Sequence, residues 1–428
     1  MTPAADSPEF ARLARRGLVV LTLINLFNYL DRYVVSALAE SLRVEAPAGL
    51  GLSDFQSGSL VPAFMLVFAF TSVLFGWLGD RAPRPRLVAF GVAIWSLATA
   101  LGGFAGSFLG LFLARALVGV GEAAYGTIAP ALLADYFPPV RRGRVFAIFF
   151  AAIPIGSALG FILGGYADQH FGWRAAFFIA GLPGIVLSLL ALALLDPPRG
   201  VHDAPAAGHG PPPRGKGWKA VYAPLVANGR YRLTILGYAF ATFAAGGLAF
   251  WMPSFLKRVR GATPSEATVQ FGVITAVTAL VGTYGGGLLA ERALRRTKHG
   301  HLWFCGLSTL IAAPFVLLAL TLESPPLYLG AIVVGGLFLF ASTGPVNLAI
   351  INSVRPDQRV AAVALSIFTI HILGDVPSPP LVGMISDRTS LGTGILLVPL
   401  AVLVAGAVWT FAAWQAERDD RVQSKAAT

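Results

Sequence analysis

The chain has 428 residues, of which 56% are hydrophobic and only 12% charged, against about 25% charged in an ordinary soluble domain, and its mean hydropathy is +0.70. This composition excludes a soluble globular protein and describes an all-α polytopic membrane protein. A single cysteine, Cys305, excludes an intramolecular disulfide and any cysteine-based zinc or iron–sulfur site, and the net charge of +11 must be located before it can be read as a nucleic-acid signal.

Apolar runs of about 20 residues, the length that crosses a bilayer as a helix, recur at 17–40, 57–78, 87–106, 109–135, 144–167, 174–195, 231–256, 268–290, 301–321, 326–352, 360–386 and 392–414, which gives twelve expected spans. A membrane β-barrel would show short alternating segments instead. The 48 Gly and 29 Pro fit the helical reading, since membrane helices tolerate both and small residues let them approach closely. Reading Met1–Ala39 as a cleaved signal peptide, with Arg12, Arg15 and Arg16 as its basic region, conflicts with the charges inside that run and would leave eleven spans.

Counting basic residues at span ends with the adjoining loop, placing the amino terminus and every even-numbered loop on one side collects 24 of the 32 Lys and Arg, with six on the other side and Arg32 and Arg115 deep inside spans. The positive-inside rule then puts both termini in the cytoplasm, with the plasma (inner) membrane as the expected location. The basic balance is topological, so nucleic-acid binding is not expected.

In span one, "NLFNYLDRYVVSAL" places Asn25, Asn28, Asp31 and Arg32 on one helical face, at i, i+3, i+6 and i+7. A lone charge at the bilayer centre costs about 2.5–3.5 kcal/mol on insertion scales, so such residues face a cavity or each other. Span four supplies a complement: "LARALVGVGEAAYG" lines up Arg115, Gly119, Glu122 and Tyr125. Desolvation favours the protonated form of a carboxylate and a nearby guanidinium the ionised form, so two acids and two bases on facing helices make a candidate proton-coupling network. Asp31 or Glu122 would carry the proton, with Arg32 and Arg115 as counter-charges. The alternative is a static buried salt bridge that fixes helix packing.

Residues 196–230 contain "DPPRGVHDAPAAGHGPPPRGKG", which reads as a flexible linker between six spans and six. The expected organisation is an N-terminal segment 1–16, a six-helix bundle 17–195, the linker 196–230, a second bundle 231–414 and a tail 415–428. The halves are internally repeated. "GWLGDRAPRPR" after span two aligns with "GLLAERALRRT" after span eight, so that Asp80 meets Glu291 and Arg81 meets Arg292, and "RVFA" from Arg144 meets "RVAA" from Arg359. Gly76 is expected to allow close helix packing, and Asp135 at the end of span four is the candidate partner of Arg81, with Arg84 in the same cluster.

In the second half, Tyr238 and Thr242 share a face of span seven and Thr343 and Asn347 a face of span ten; these are candidate substrate contacts or packing residues. Span eleven carries "HILGDVPSPP", with His371 and Asp375 at i, i+4, as a relay, a gate or a hydrogen-bonded core pair. Pro377, Pro379 and Pro380 then kink or unwind the helix.

"GWLGDRAPRPR" and the 6+6 repeat resemble the major facilitator superfamily across residues 17–414. That resemblance implies substrate binding near the midplane between two pseudo-symmetric six-helix bundles, alternating access, and a cytoplasmic latch made of Gly76, Asp80, Arg81, Arg84 and Asp135, with Glu291 and Arg292 as a weaker copy. "NYLDRYVVSAL", "GVGEAAYGTIAPALLADYFP" and "HILGDVPSP" are similar to the Spinster family, and Asp31, Arg32 and Glu122 match that family's charged positions. The implied activity is a carrier, acting as a monomer, that couples protons to an amphipathic lipid of lysophospholipid or sphingoid type. The competing reading is an organic-anion symporter in which Arg32 or Arg115 binds a carboxylate. No cofactor other than a coupling proton and no metal is expected. An enzyme lacks a recognisable nucleophile or metal motif here, an ATP-driven pump lacks its phosphate loop, a channel lacks a ring of like charge, and a non-transporting receptor stays a minor alternative.

Overall fold

A computed structural model of the chain describes residues 7–79, 81–202, 218–355 and 358–427. Ser7 accepts from the Phe10 amide, Pro8 occupies the first helical position and Glu9 lies in the first turn, so helix α1 (Pro8–Arg43) begins ahead of its apolar run. Phe10 and Ala14 are buried on it. The described part of the segment expected as a tail before span one, with Arg12, Arg15 and Arg16, is therefore helix.

The first half continues with α2 (Asp54–Gly79), α3 (Arg84–Gly102), α4 (Phe108–Tyr136), α5 (Pro139–Phe171) and α6 (Trp173–Leu192). Gly172, at φ +82°, makes the one-residue turn between α5 and α6, a conformation that a residue with a Cβ rarely adopts. The second half comprises α7 (Trp218–Ala227), α8 (Gly229–Arg258), α9 (Pro264–Leu294), α10 (Gly300–Thr321), α11 (Pro325–Ala341), α12 (Thr343–Asn352), α13 (Arg359–Ile370), a π-helical turn His371–Asp375, α14 (Ser378–Arg388), α15 (Leu391–Gly394) and α16 (Leu397–Ala427). Joined across their short breaks, the described residues contain twelve helices long and apolar enough to cross a membrane. Phe70, Val73, Phe104 and Tyr284 are among the large apolar side chains left exposed, which suits a surface solvated by lipid tails.

The chain divides into two compact units, Met1–Pro212 with Ala262–Gly272, and Pro213–Gly261 with Val273–Thr428. The start of α9 thus packs with the first unit: Phe271 lies edge-on to Phe161 at 5.1 Å between ring centroids, and Thr268 sits over Gly165. Lipid supplies no hydrophobic drive for helices to associate, so close van der Waals fit decides which helices touch. Gly156, Gly160 and Gly164 put one face of α5 directly on α1; a Cβ at Gly160 would strike the Leu30 carbonyl and lie 3.0 Å from Tyr33 Cβ. Gly119 seats α4 on α2 beside Phe68, and Gly91 and Gly121 face each other between α3 and α4. In the second unit Gly237 receives the Trp409 ring, whose indole N–H donates to the Thr234 carbonyl at 2.9 Å.

Both described ends of the stretch expected as a flexible linker, 196–230, have structure. Residues 196–202 lie against the first unit, and Trp218–Ala227 is helical. The tail from 415 continues α16.

Candidate functional site

Within the first unit, the four charges of spans one and four pair across the helices. Arg32 Nε lies 2.8 Å from Glu122 Oε2 and Arg115 Nη1 3.3 Å from Asp31 Oδ1. Asp31 and Arg32 are consecutive on α1, yet their partners are seven residues apart on α4, about 10.5 Å along the helix. Two long guanidinium arms span that distance from opposite ends. Thr99 of α3 donates to Asp31 Oδ2 at 2.9 Å. The Arg32 guanidinium sits among the rings of Phe64, Tyr29 and Phe68, 4.8, 4.9 and 5.4 Å from their centroids, an arrangement that stabilises a cation where water is scarce. Glu122 is fully buried and the Arg32 side chain 22% exposed, so the pair has one end inside the unit and one at its surface.

The neighbouring polar residues divide. Asn25 Nδ2 donates to the Phe149 carbonyl at 3.0 Å, and the Tyr125 hydroxyl to the Leu21 carbonyl at 2.7 Å. Both thereby tie helices together and leave little for a substrate. Asn28 is buried, and its Nδ2 has no partner among the described residues.

At the α2–α3 turn the expected pairing is corrected. Asp135 pairs with Arg84, whereas Arg81 donates to the Trp77 carbonyl at 3.0 Å and lies over the Trp77 ring. The reason is position: Arg84 is the first residue of α3 and points into the unit, while Arg81 is exposed on the turn. Arg84 also holds Asp196 Oδ1 at 2.8 Å and the Pro197 carbonyl at 2.6 Å, and Asp196 Oδ2 accepts from the Arg84 amide at 3.1 Å. The Gly200 amide donates to Asp135 Oδ1 at 2.9 Å. Gly76 is not needed for close packing either, because among the described residues a Cβ there would meet only Thr127 Cγ2, at 3.7 Å. Asp80 lies outside the described residues. Glu291 and Arg292, at the repeated position on α9, are exposed.

In the second unit His371 Nδ1 lies 2.9 and 3.0 Å from the two carboxylate oxygens of Asp375. The pair spans the π turn, closed by the Val376 amide on the His371 carbonyl at 3.1 Å. Pro377, Pro379 and Pro380 have no N–H to continue the α ladder. The helix accordingly widens and restarts at Ser378, whose hydroxyl donates to the Phe243 carbonyl at 2.6 Å. Tyr238 approaches the Asn347 side chain. Asn347 donates to the Thr343 carbonyl and Thr242 to the Tyr238 carbonyl, each at 2.8 Å within its own helix.

Comparison with known proteins gives these contacts a context. The family model of the Major Facilitator Superfamily matches residues 21–374. Protein spinster homolog 1 of Mus musculus is 35% identical over 393 residues, 86% of this chain and 72% of that protein, and its Homo sapiens counterpart is 35% identical over 392 residues with the same coverage. This chain belongs to the Spinster family of the major facilitator superfamily. A crystal structure of a bacterial homolog to the human lysosomal transporter Spinster, in an inward-facing and unoccupied conformation, matches with a TM-score of 0.83 at 25% identity, covering 95% of this chain and 98% of that one. A nucleoside transporter at 14% identity and a TM-score of 0.70 shares the fold, covering 92% of this chain and 99% of its own.

As a Spinster-family transporter the chain holds functional-site partners that sequence reasoning missed. Thr99 and Asp196 stand in no charged stripe and in no motif with a fixed spacing. The aromatic surround of Arg32 comes from α1 and α2 together, and a run of Phe in an apolar helix carries no mark of that role. The packing face of α5 was likewise not among the expectations, although glycines four apart, Gly156, Gly160 and Gly164, are the signal that could have marked it.

Proposed function

We propose that this transporter couples proton movement to carriage of an amphipathic lipid of lysophospholipid or sphingoid type, by alternating access of its two six-helix bundles. The observation that carries the reading is the Arg32–Glu122 pair: a fully buried carboxylate bonded through one oxygen to a guanidinium whose other side reaches the surface of the unit. Protonation of Glu122 removes the charge that holds Arg32. The freed guanidinium can then bind the phosphate of a substrate headgroup, for which its planar fork of donors is suited. Glu122 Oε1 is buried with no partner among the described residues, so the acid is held less completely than Asp31 and is the one assigned the proton. Arg115, already bonded to Asp31, serves as a fixed counter-charge.

The cluster of Arg84, Asp135 and Asp196 is assigned to the latch that the superfamily resemblance implies, with Arg81 in a supporting place on the turn. His371 and Asp375 are assigned to the gate in span eleven. The excess of Lys and Arg in even-numbered loops supports both termini in the cytoplasm of a plasma (inner) membrane. One chain carries both bundles, which supports a monomer as the working unit.

The same guanidinium would also take a small carboxylate, so the lipid tail is the discriminating feature. Competition of labelled lysophosphatidylcholine binding by a series of acyl lengths tests it. Affinity that rises with chain length supports a lipid carrier, and indifference to the tail with competition by small carboxylates supports an organic-anion symporter.

A further inference from the structure

Asp31 is held from two helices at once. Arg115 Nη1 of α4 reaches its Oδ1 at 3.3 Å and the Thr99 hydroxyl of α3 its Oδ2 at 2.9 Å, and all three residues are buried. Threonines inside helices ordinarily turn their hydroxyl back to a carbonyl of the preceding turn, as Thr71, Thr127, Thr242 and Thr278 do here. Thr99 instead gives its hydroxyl to Asp31. The charged groups around Asp31 are Arg115 and Glu122 from α4 and Arg32 on its own helix. Arg32 is therefore a second base toward which an unanchored Asp31 carboxylate would be drawn.

We propose that Thr99 is a positioning residue for proton coupling. By occupying Asp31 Oδ2 it commits Asp31 to Arg115, and so leaves Glu122 and Arg32 as the pair that opens when the proton arrives. The inference rests on the proton-coupled reading above. Without the hydroxyl, Asp31 competes with Glu122 for Arg32, and the two acids no longer have separate tasks.

Thr99→Val keeps the side-chain shape and removes the donor, Thr99→Ala removes the donor together with the methyl group, and Thr99→Ser keeps the donor while losing the methyl group. Initial rates of labelled lysophosphatidylcholine uptake into proteoliposomes, measured across pH with KM and kcat separated, read the effect. Thr99→Val and Thr99→Ala are expected to move the midpoint of the pH profile by about half a unit or more, the size that loss of one buried hydrogen bond produces, and to lower kcat at unchanged KM. Thr99→Ser should follow the parent. A pH-dependent parent with an unmoved Val or Ala profile overturns this inference alone, as does a Ser variant shifted as far as Val, which would make the role one of packing. A parent whose uptake ignores pH overturns the coupling reading, and the inference with it.

Discussion

Arg32 of α1 and Glu122 of α4 meet at 2.8 Å, and of the two only the arginine reaches the surface of its unit. An ion pair buried at one end loses more when one partner is removed than when both are, because the remaining charge stays desolvated. Arg32→Ala should therefore destabilise the first unit by about 3 kcal/mol, read as a fall in melting temperature in detergent. Combining it with Glu122→Gln should recover much of that loss. Additive losses in the double variant would mean that the two side chains do not act as a pair.

Glu122→Gln alone keeps the shape and the acceptor but cannot ionise. Accumulation driven by a pH gradient should fall by about tenfold or more, while exchange of substrate across the membrane without a gradient continues. If exchange stopped as well, Glu122 would be needed for movement of the carrier itself and not for its coupling to protons.

The α2–α3 turn separates two neighbouring arginines. Arg84 is buried and bonded to Asp135, Asp196 and the Pro197 carbonyl, and Arg81 is exposed against Trp77. Arg84→Ala leaves two carboxylates without their cation and should cost about 2–3 kcal/mol, whereas Arg81→Ala should change stability by about 0.5 kcal/mol or less. Melting curves of the two variants, with spectroscopic distances across the turn, check both. Equal effects would contradict the assignment of Arg84 as the centre of the cluster.

Close approach of α5 to α1 rests on Gly156 and Gly160, where a Cβ would strike the Leu26 and Leu30 carbonyls. Gly160→Val should destabilise the first unit by about 3 kcal/mol or more through overpacking against backbone that cannot move aside. Gly76→Ala, with ordinary contact distance to Thr127, should be tolerated. Expression and melting temperature of the two proteins distinguish them.

The twelve helices were legible because a bilayer requires long apolar runs and these interrupt the sequence cleanly. Helix ends were less so. The start of α1 is set by Ser7 and Pro8, and the order of 196–202 by contacts to Arg84 and Asp135 that no local composition announces. Of the candidate site, the charged stripes were visible as polar residues at helical spacing, since charge inside a span needs a reason. Which acid meets which base was not, because Asp31 and Arg32 diverge around α1 and reach partners two turns apart. Thr99 shows the limit most plainly: a threonine in a membrane helix is common, and only the fold reveals that its hydroxyl leaves its own helix for Asp31.

The most direct test of the account is uptake of a labelled lysophospholipid into proteoliposomes with and without an imposed pH gradient, comparing the parent with Glu122→Gln. The account predicts gradient-driven lipid accumulation by the parent and its loss in the variant. Lipid accumulation that is the same with and without the gradient, or equal in both proteins, would contradict proton coupling through Glu122, and uptake of small carboxylates in place of the lipid would contradict the substrate.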